Sequence, residues 1–230
     1  MMIKNKGTKR ALLAAFLAVL LCAAGCGESL PKFTPVEDGF LDEEHDIRYI
    51  SCNRLALRPL EVGKEYATDG TDTYYTVPFE DPKRFICDNH NGISYLFRAA
   101  DVEEPTIETF HPIAADIYLE GEASVYVGSL YCEKKYLDEE LQGESNRDDS
   151  DLVYAIRDAL IKDEHVEVPP DKFSGEDMFF IRLLSADYPG LYYTTVFYTD
   201  TDGVAYLMDR GSMKTVLCPQ IVTARMIGGS

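Results

Sequence analysis

The chain has 230 residues, with 40 acidic against 22 basic side chains and a formal charge of −18 at neutral pH. That balance repels nucleic-acid backbones and anionic head groups, so nucleic-acid binding is excluded as the function. The length allows one ordinary domain or two small ones, and in either case a real core.

The first element in chain order is an address. Lys4, Lys6, Lys9 and Arg10 precede an apolar run from Ala11 to Leu21, which closes on Ala23, Ala24, Gly25 and Cys26. A basic start, an apolar middle and small residues before a cut make a secretory signal. The run is shorter than the roughly 20 residues that a membrane-spanning helix needs. Its last four residues resemble the lipobox of bacterial lipoproteins, with Ala23 at the position where leucine is commonest. The resemblance implies cleavage between Gly25 and Cys26, acylation of Cys26 with palmitate-type chains, and a protein held on the extracytoplasmic face of a cell membrane. The implied partner is the lipid bilayer, reached through acylated Cys26, and stable anchoring takes more than one chain. An ordinary secretory signal cut after Ala24 or Gly25, and an uncut anchor, are the alternatives. Removing residues 1–25 takes away four basic residues and no acidic ones, so processing makes the body more acidic still.

Residues 26–46 read as a tether. They contain Pro31 and Pro35 and the acidic clusters Glu37-Asp38 and Asp42-Glu43-Glu44, with little apolar periodicity. Phe33, Phe40 and Leu41 are its candidate contacts with the body. Residues 47–110 read as a small, mostly β unit. Ile47 to Leu57 is β-rich around an interruption at Asn53-Arg54, and Thr73 to Val77 is a strand stopped by Pro78. Asp81-Pro82 opens an irregular piece with one helical turn carrying Phe85 and Ile86. Asn91-Gly92 turns the chain into a strand from Ile93 to Phe97.

Residues 111–230 read as an α+β unit, and the two units are equally compatible with one domain. Ile113 to Leu119 and Ala123 to Tyr131 are strands around Gly121. Asp138 to Asp149 is a polar loop. Ser150 caps a helix over about 150–162, whose stripe is Leu152, Val153, Ile156, Ala159 and Leu160. Pro169-Pro170 forbids its continuation. Four strands follow, 178–184, 191–198, 204–208 and 213–218, with turn signals at Pro189-Gly190, Asp202-Gly203 and Arg210-Gly211 and a stop at Pro219. The expected class is α+β: mostly antiparallel β, with one clear helix packed on a C-terminal β-meander. This order resembles small modules of other Gram-positive-type lipoproteins, a resemblance that implies no activity.

Cys52, Cys87, Cys132 and Cys218 are the cysteines left after processing, and export permits disulfides among them in three connectivities. Buried thiols are the other reading. The segment Tyr198 to Gly203 is similar to part of a calcium-binding EF-hand loop, but it lies between strands and starts on tyrosine, so it reads as a hairpin turn. Ser29-x-x-Lys32 matches the pattern of penicillin-recognising enzymes, without its partner motifs and with Pro31 between the two. His45, His90, His111 and His165 are scattered, with no metal-ligand spacing. Tyr74-Tyr75 and Tyr192-Tyr193 lie on predicted strands, so each pair directs one ring to each face, one into the core and one outward.

These readings give a membrane-tethered surface lipoprotein acting as a non-enzymatic binding or accessory module, with no cofactor or metal and with an envelope protein or a small molecule as its further partner. The alternative is an envelope hydrolase with dispersed carboxylates or a Cys/His pair.

Overall fold

The computed structural model describes residues 30–119, 125–132, 148–162, 164–168 and 178–228. The address segment with Gly25 and Cys26, Ser29, most of the polar loop and Pro169-Pro170 lie outside the described residues. The described chain is mostly antiparallel β with few helices. Residues Lys32 to Ser230 fall within one compact unit.

The first sheet contains β1 (Thr34–Val36), β2 (Gly39–Asp42), β3 (Ile47–Ser51), β5 (Glu65–Thr68), β6 (Thr73–Thr76), β7 (Phe85–Cys87) and β8 (Leu96–Ala99). Their order is β1-β2-β3-β8-β7-β6-β5, every pair antiparallel. The two ends of this order meet. The Phe33 amide donates to the Thr68 carbonyl at 2.8 Å, and Lys32 bridges Thr68 in parallel. The sheet is thereby closed into a small barrel, which removes the exposed edges that invite aggregation. Its interior holds Phe33, Tyr49, Ala67, Tyr74, Ile86 and Phe97. The rings interlock: Phe33 lies 5.4 Å from Tyr49 and 5.6 Å from Tyr74, and Phe40 lies 4.4 Å from Tyr74. The Tyr49 hydroxyl is satisfied by the Pro82 carbonyl at 2.9 Å.

This arrangement corrects the tether reading. Residues 34–42 form two strands, and Phe33 is fully buried. Pro35 is tolerated because β1 pairs with β2 alone at that position. The turn between β1 and β2 depends on Gly39. At its φ of 154°, an added Cβ would sit 1.9 Å from the Tyr49 carbonyl oxygen.

The second sheet contains β9 (Pro112–Leu119), β10 (Val125–Tyr131), β11 (Phe179–Ser185), β12 (Leu191–Thr199), β13 (Ala205–Asp209) and β14 (Thr215–Leu217). Its order is β10-β9-β11-β12-β13-β14. The last four strands are sequential, as a meander requires, but β9 and β10 widen the sheet. Strand β4 (Leu57–Pro59), from the N-terminal half, pairs with Leu191–Tyr193 of β12, beside the stretch Thr195–Thr199 that pairs with β13. The two halves therefore share a sheet.

Helix α2 (Ser150–Ile161) covers one face with Leu152, Val153, Ile156 and Leu160. Its N-cap is Asp149, one residue before the expected Ser150. Two further helices are present among the described residues, α1 (Ile107–Phe110) and α3 (Gln220–Ile227), and both contact α2's neighbourhood through Ile107, Phe110 and Val222. Pro219, expected as a stop, starts α3. Its carbonyl accepts from Val222 and Thr223, and proline suits a helix's first turn because no amide is missed there.

The larger core lies between the barrel's outer wall and the helix-covered sheet. Phe85, Cys87 and Leu96 enter it from strands whose alternate residues, Ile86 and Phe97, enter the barrel. Glu80 ties the same junction, its Oε1 accepting the Gly190 amide at 3.1 Å.

Candidate functional site

A cleft of about 490 Å³ opens where the barrel's exit loop, the segment before α1, the end of α2 and the β13–β14 turn converge. Its floor is apolar: Ala56, Ile107, Leu160 and Ile161. Its walls are polar, and their side chains are held by one another.

Asn53 joins three of these segments. Its amide donates to Glu104 Oε1 at 2.7 Å, and its Nδ2 donates to the Gly211 carbonyl at 2.9 Å. Its Oδ1 accepts the Leu55 amide at 3.0 Å, which shapes the loop after β3. Glu104 faces Arg98, with 3.7 Å between Oε2 and Nε. On the opposite wall Asp209 is buried at 4% exposure. Its Oδ1 accepts the Tyr193 hydroxyl at 2.6 Å and the Gly211 amide at 2.9 Å. Its Oδ2 accepts the Ser212 hydroxyl at 2.6 Å and the Ser212 amide at 3.1 Å. With four donors on its two oxygens, Asp209 folds the turn around itself. Burial, and then the bond to Asp209, push the Tyr193 phenol far above its ordinary range, so it stays a neutral donor. Gly211 is required here, because a Cβ would meet Tyr193 Oη at 2.2 Å. Glu108, Lys162, Ser212 and Lys214 stand exposed around the mouth.

The chain matches no protein-family model, and neither a curated protein nor a solved structure is significantly similar to it.

The residues singled out in sequence fall elsewhere. Cys52, Cys87 and Cys218 are free thiols, so none of the three pairings among the four cysteines exists in this structure. Burial pushes the thiols of Cys52 and Cys87 up to about 12 and that of Cys218 up to about 11, which suppresses the nucleophilic thiolate. Cys132 is buried in the same core as Cys52 and Cys87. The histidines do not converge. His45 pairs with Asp42 at 2.8 Å, His90 with Asp88 at 3.2 Å and His111 with Asp187 at 2.9 Å, each in its own loop region. Among the described residues no three metal-ligating side chains gather into one site.

The calcium-like loop is a hairpin turn. Asp200 Oδ1 accepts the amides of Asp202 and Val204, and Gly203 takes a φ of 79°. The tyrosine pairs are corrected. Tyr74 fills the barrel, but Tyr75 packs half-buried on the larger core, and Tyr192 and Tyr193 are both buried. Neither pair offers a free ring. The sequence held one local signal of the cleft, the Asp209–Ser212 turn. Nothing local joined it to Asn53 and Glu104.

Proposed function

We propose that the protein is a bacterial lipoprotein, tethered through acylated Cys26 to the extracytoplasmic face of a membrane, whose folded body is a non-enzymatic binding or accessory module. Within that module the helix α2 packs on the consecutive strands β11–β14, and this layer supplies one side of the ligand cleft, with Asn53 and Glu104 supplying the other. The observation that supports binding is the cleft: a preformed apolar floor with a few fixed polar groups is the usual form of a small-molecule site. Its polar walls are committed to each other, which favours holding a ligand over transferring protons. A hydrolase reading would place its acid or base among these carboxylates, and Asp209 is already fixed by four donors.

The test has two arms on the expressed full-length chain. Wild type should partition with membranes and carry a radiolabelled acyl group, and Cys26→Ala should lose both; retention of the label in the variant would refute the anchor. A small-molecule fraction extracted from the native envelope should raise the Tm of wild type. The same fraction should leave Glu108→Trp, which crowds the cleft mouth, unshifted. Equal shifts in both proteins, or none in either, would remove the cleft from the function.

A further inference from the structure

Strand β11 alternates. Ile181 and Leu183 are fully buried in the core, so Phe180 and Arg182 lie on the sheet's other face. The register brings a set of side chains together there. Arg182 stands opposite Thr194 of β12, Tyr192 stands opposite Arg58 of β4, and Phe180 stands opposite Tyr118 of β9. Arg210 follows the last residue of β13, on the other side of β12. These residues line a groove of about 160 Å³. Three arginines around one groove is unexpected in a chain of charge −18.

Arg182 and Arg210 are held by rings, and Arg58 by the Arg54 carbonyl, which accepts from its Nε at 3.3 Å, and by the Tyr95 ring at 5.9 Å. The Arg182 guanidinium lies 4.0 Å from the Tyr118 ring centroid and 4.8 Å from that of Tyr192. The guanidinium of Arg210 lies 5.8 Å from the Phe180 ring. Among the described residues Arg58, Arg182 and Arg210 form no ion pair. Asp116 is the acid opposite Arg182 in the register, but its Oδ1 accepts the Ser129 hydroxyl, which Tyr126 also contacts. The Nε of Arg210 is buried with no hydrogen-bond partner among the described residues, as are those of Arg98 and Arg157 outside the groove. Ring stacking fixes a guanidinium's plane and leaves its in-plane N–H groups available.

We infer that this groove binds a small phosphate-bearing molecule, its phosphate on Arg58, Arg182 and Arg210 and its body against Phe180 and Tyr118. A phosphate presents several oxygens and up to two charges, which suits three guanidinium forks better than a single carboxylate does. The chain as a whole carries a charge of −18, so an extended anionic surface such as a membrane is repelled while one small anion is admitted locally.

The test is calorimetry on the full-length chain in neutral detergent with phenyl phosphate, inorganic phosphate and benzoate as probes. Phenyl phosphate should bind saturably, inorganic phosphate more weakly and benzoate weakest. Arg182→Gln and Arg58→Gln should each weaken phenyl phosphate by about tenfold or more. Arg182→Lys should not restore it, since an ammonium has no fork. Arg48→Gln, far from the groove and paired with Asp38, should bind as wild type. Arg58→Gln keeps the test sound if Arg182→Gln unfolds. The inference is overturned if no probe binds at millimolar concentration, if both glutamine variants bind like wild type, if benzoate equals phenyl phosphate, or if only phosphatidylglycerol vesicles bind.

Discussion

Single side chains in this protein are placed by what they give up to the fold. Glu80 shows the consequence for pH. Burial raises its carboxyl above the ordinary 4.5, and the Gly190 amide and nearby Arg84 only partly oppose this. The folded chain therefore takes up this proton at a higher pH than the unfolded chain does. In the window between 4.5 and the raised value the folded state holds more protons, so stability falls as pH rises through that window. Glu80→Gln keeps an acceptor for Gly190 and removes the charge. The variant should be at least as stable as wild type in urea at pH 7, and its advantage should shrink as the pH is lowered towards 4. An advantage that grew on acidification would contradict the burial argument. The thiols of Cys52 and Cys87 follow the same logic at the alkaline end, where unfolded cysteine ionises first and stability declines.

At the scale of elements, the barrel depends on one seam. Phe33 plugs the interior at the point where the sheet's two ends join. Phe33→Ala should cost about 3–5 kcal/mol in urea denaturation, the range for emptying a buried aromatic site; a cost below about 1 kcal/mol would mean that the seam is not structural. The seam also marks what the sequence left hidden. Helix α2 and strands β11 and β13 were legible because each carries a clean period: four buried residues on one helical stripe, and alternation as in Phe179 to Ser185 and Ala205 to Asp209. Strand β7 was not, because Phe85, Ile86 and Cys87 are all buried, two in one core and one in the other, so no alternation survives. Strands β1 and β2 were hidden by Pro35 and by the acidic residues that flank them, Glu37, Asp38, Glu43 and Glu44. The cleft was hidden by distance. Asn53 and Gly211 are 158 residues apart, and neither carries a motif. The arginine groove was hidden likewise, since Arg58 and Arg182 come from two distant strands and Arg210 from the turn after β13.

Over the whole molecule, the boundary expected near residue 110 is crossed by the fold itself. Strand β4 is lent to the second sheet, and the larger core takes Phe85 and Leu96 from one side and Ile181 and Phe197 from the other. Neither half can bury its apolar surface alone. Residues 32–110 and 111–228, expressed separately, should each lack cooperative unfolding, while the intact body should show one transition by circular dichroism and tyrosine fluorescence together. Two separate transitions in the intact chain would restore the two-unit reading.

The seam at Phe33 has a mechanical meaning as well. On the lipoprotein proposal only Gly27 to Pro31 separate Cys26 from the barrel, a leash of at most about 17 Å when fully drawn out. Any drag on the body is then delivered to the first strand and to the single amide that Phe33 gives to Thr68. The buried ring behind that amide acts as a stopper, because the strand cannot peel until the ring is pulled from the barrel. On that proposal the place where the protein would be held is the place where its first sheet is fastened shut.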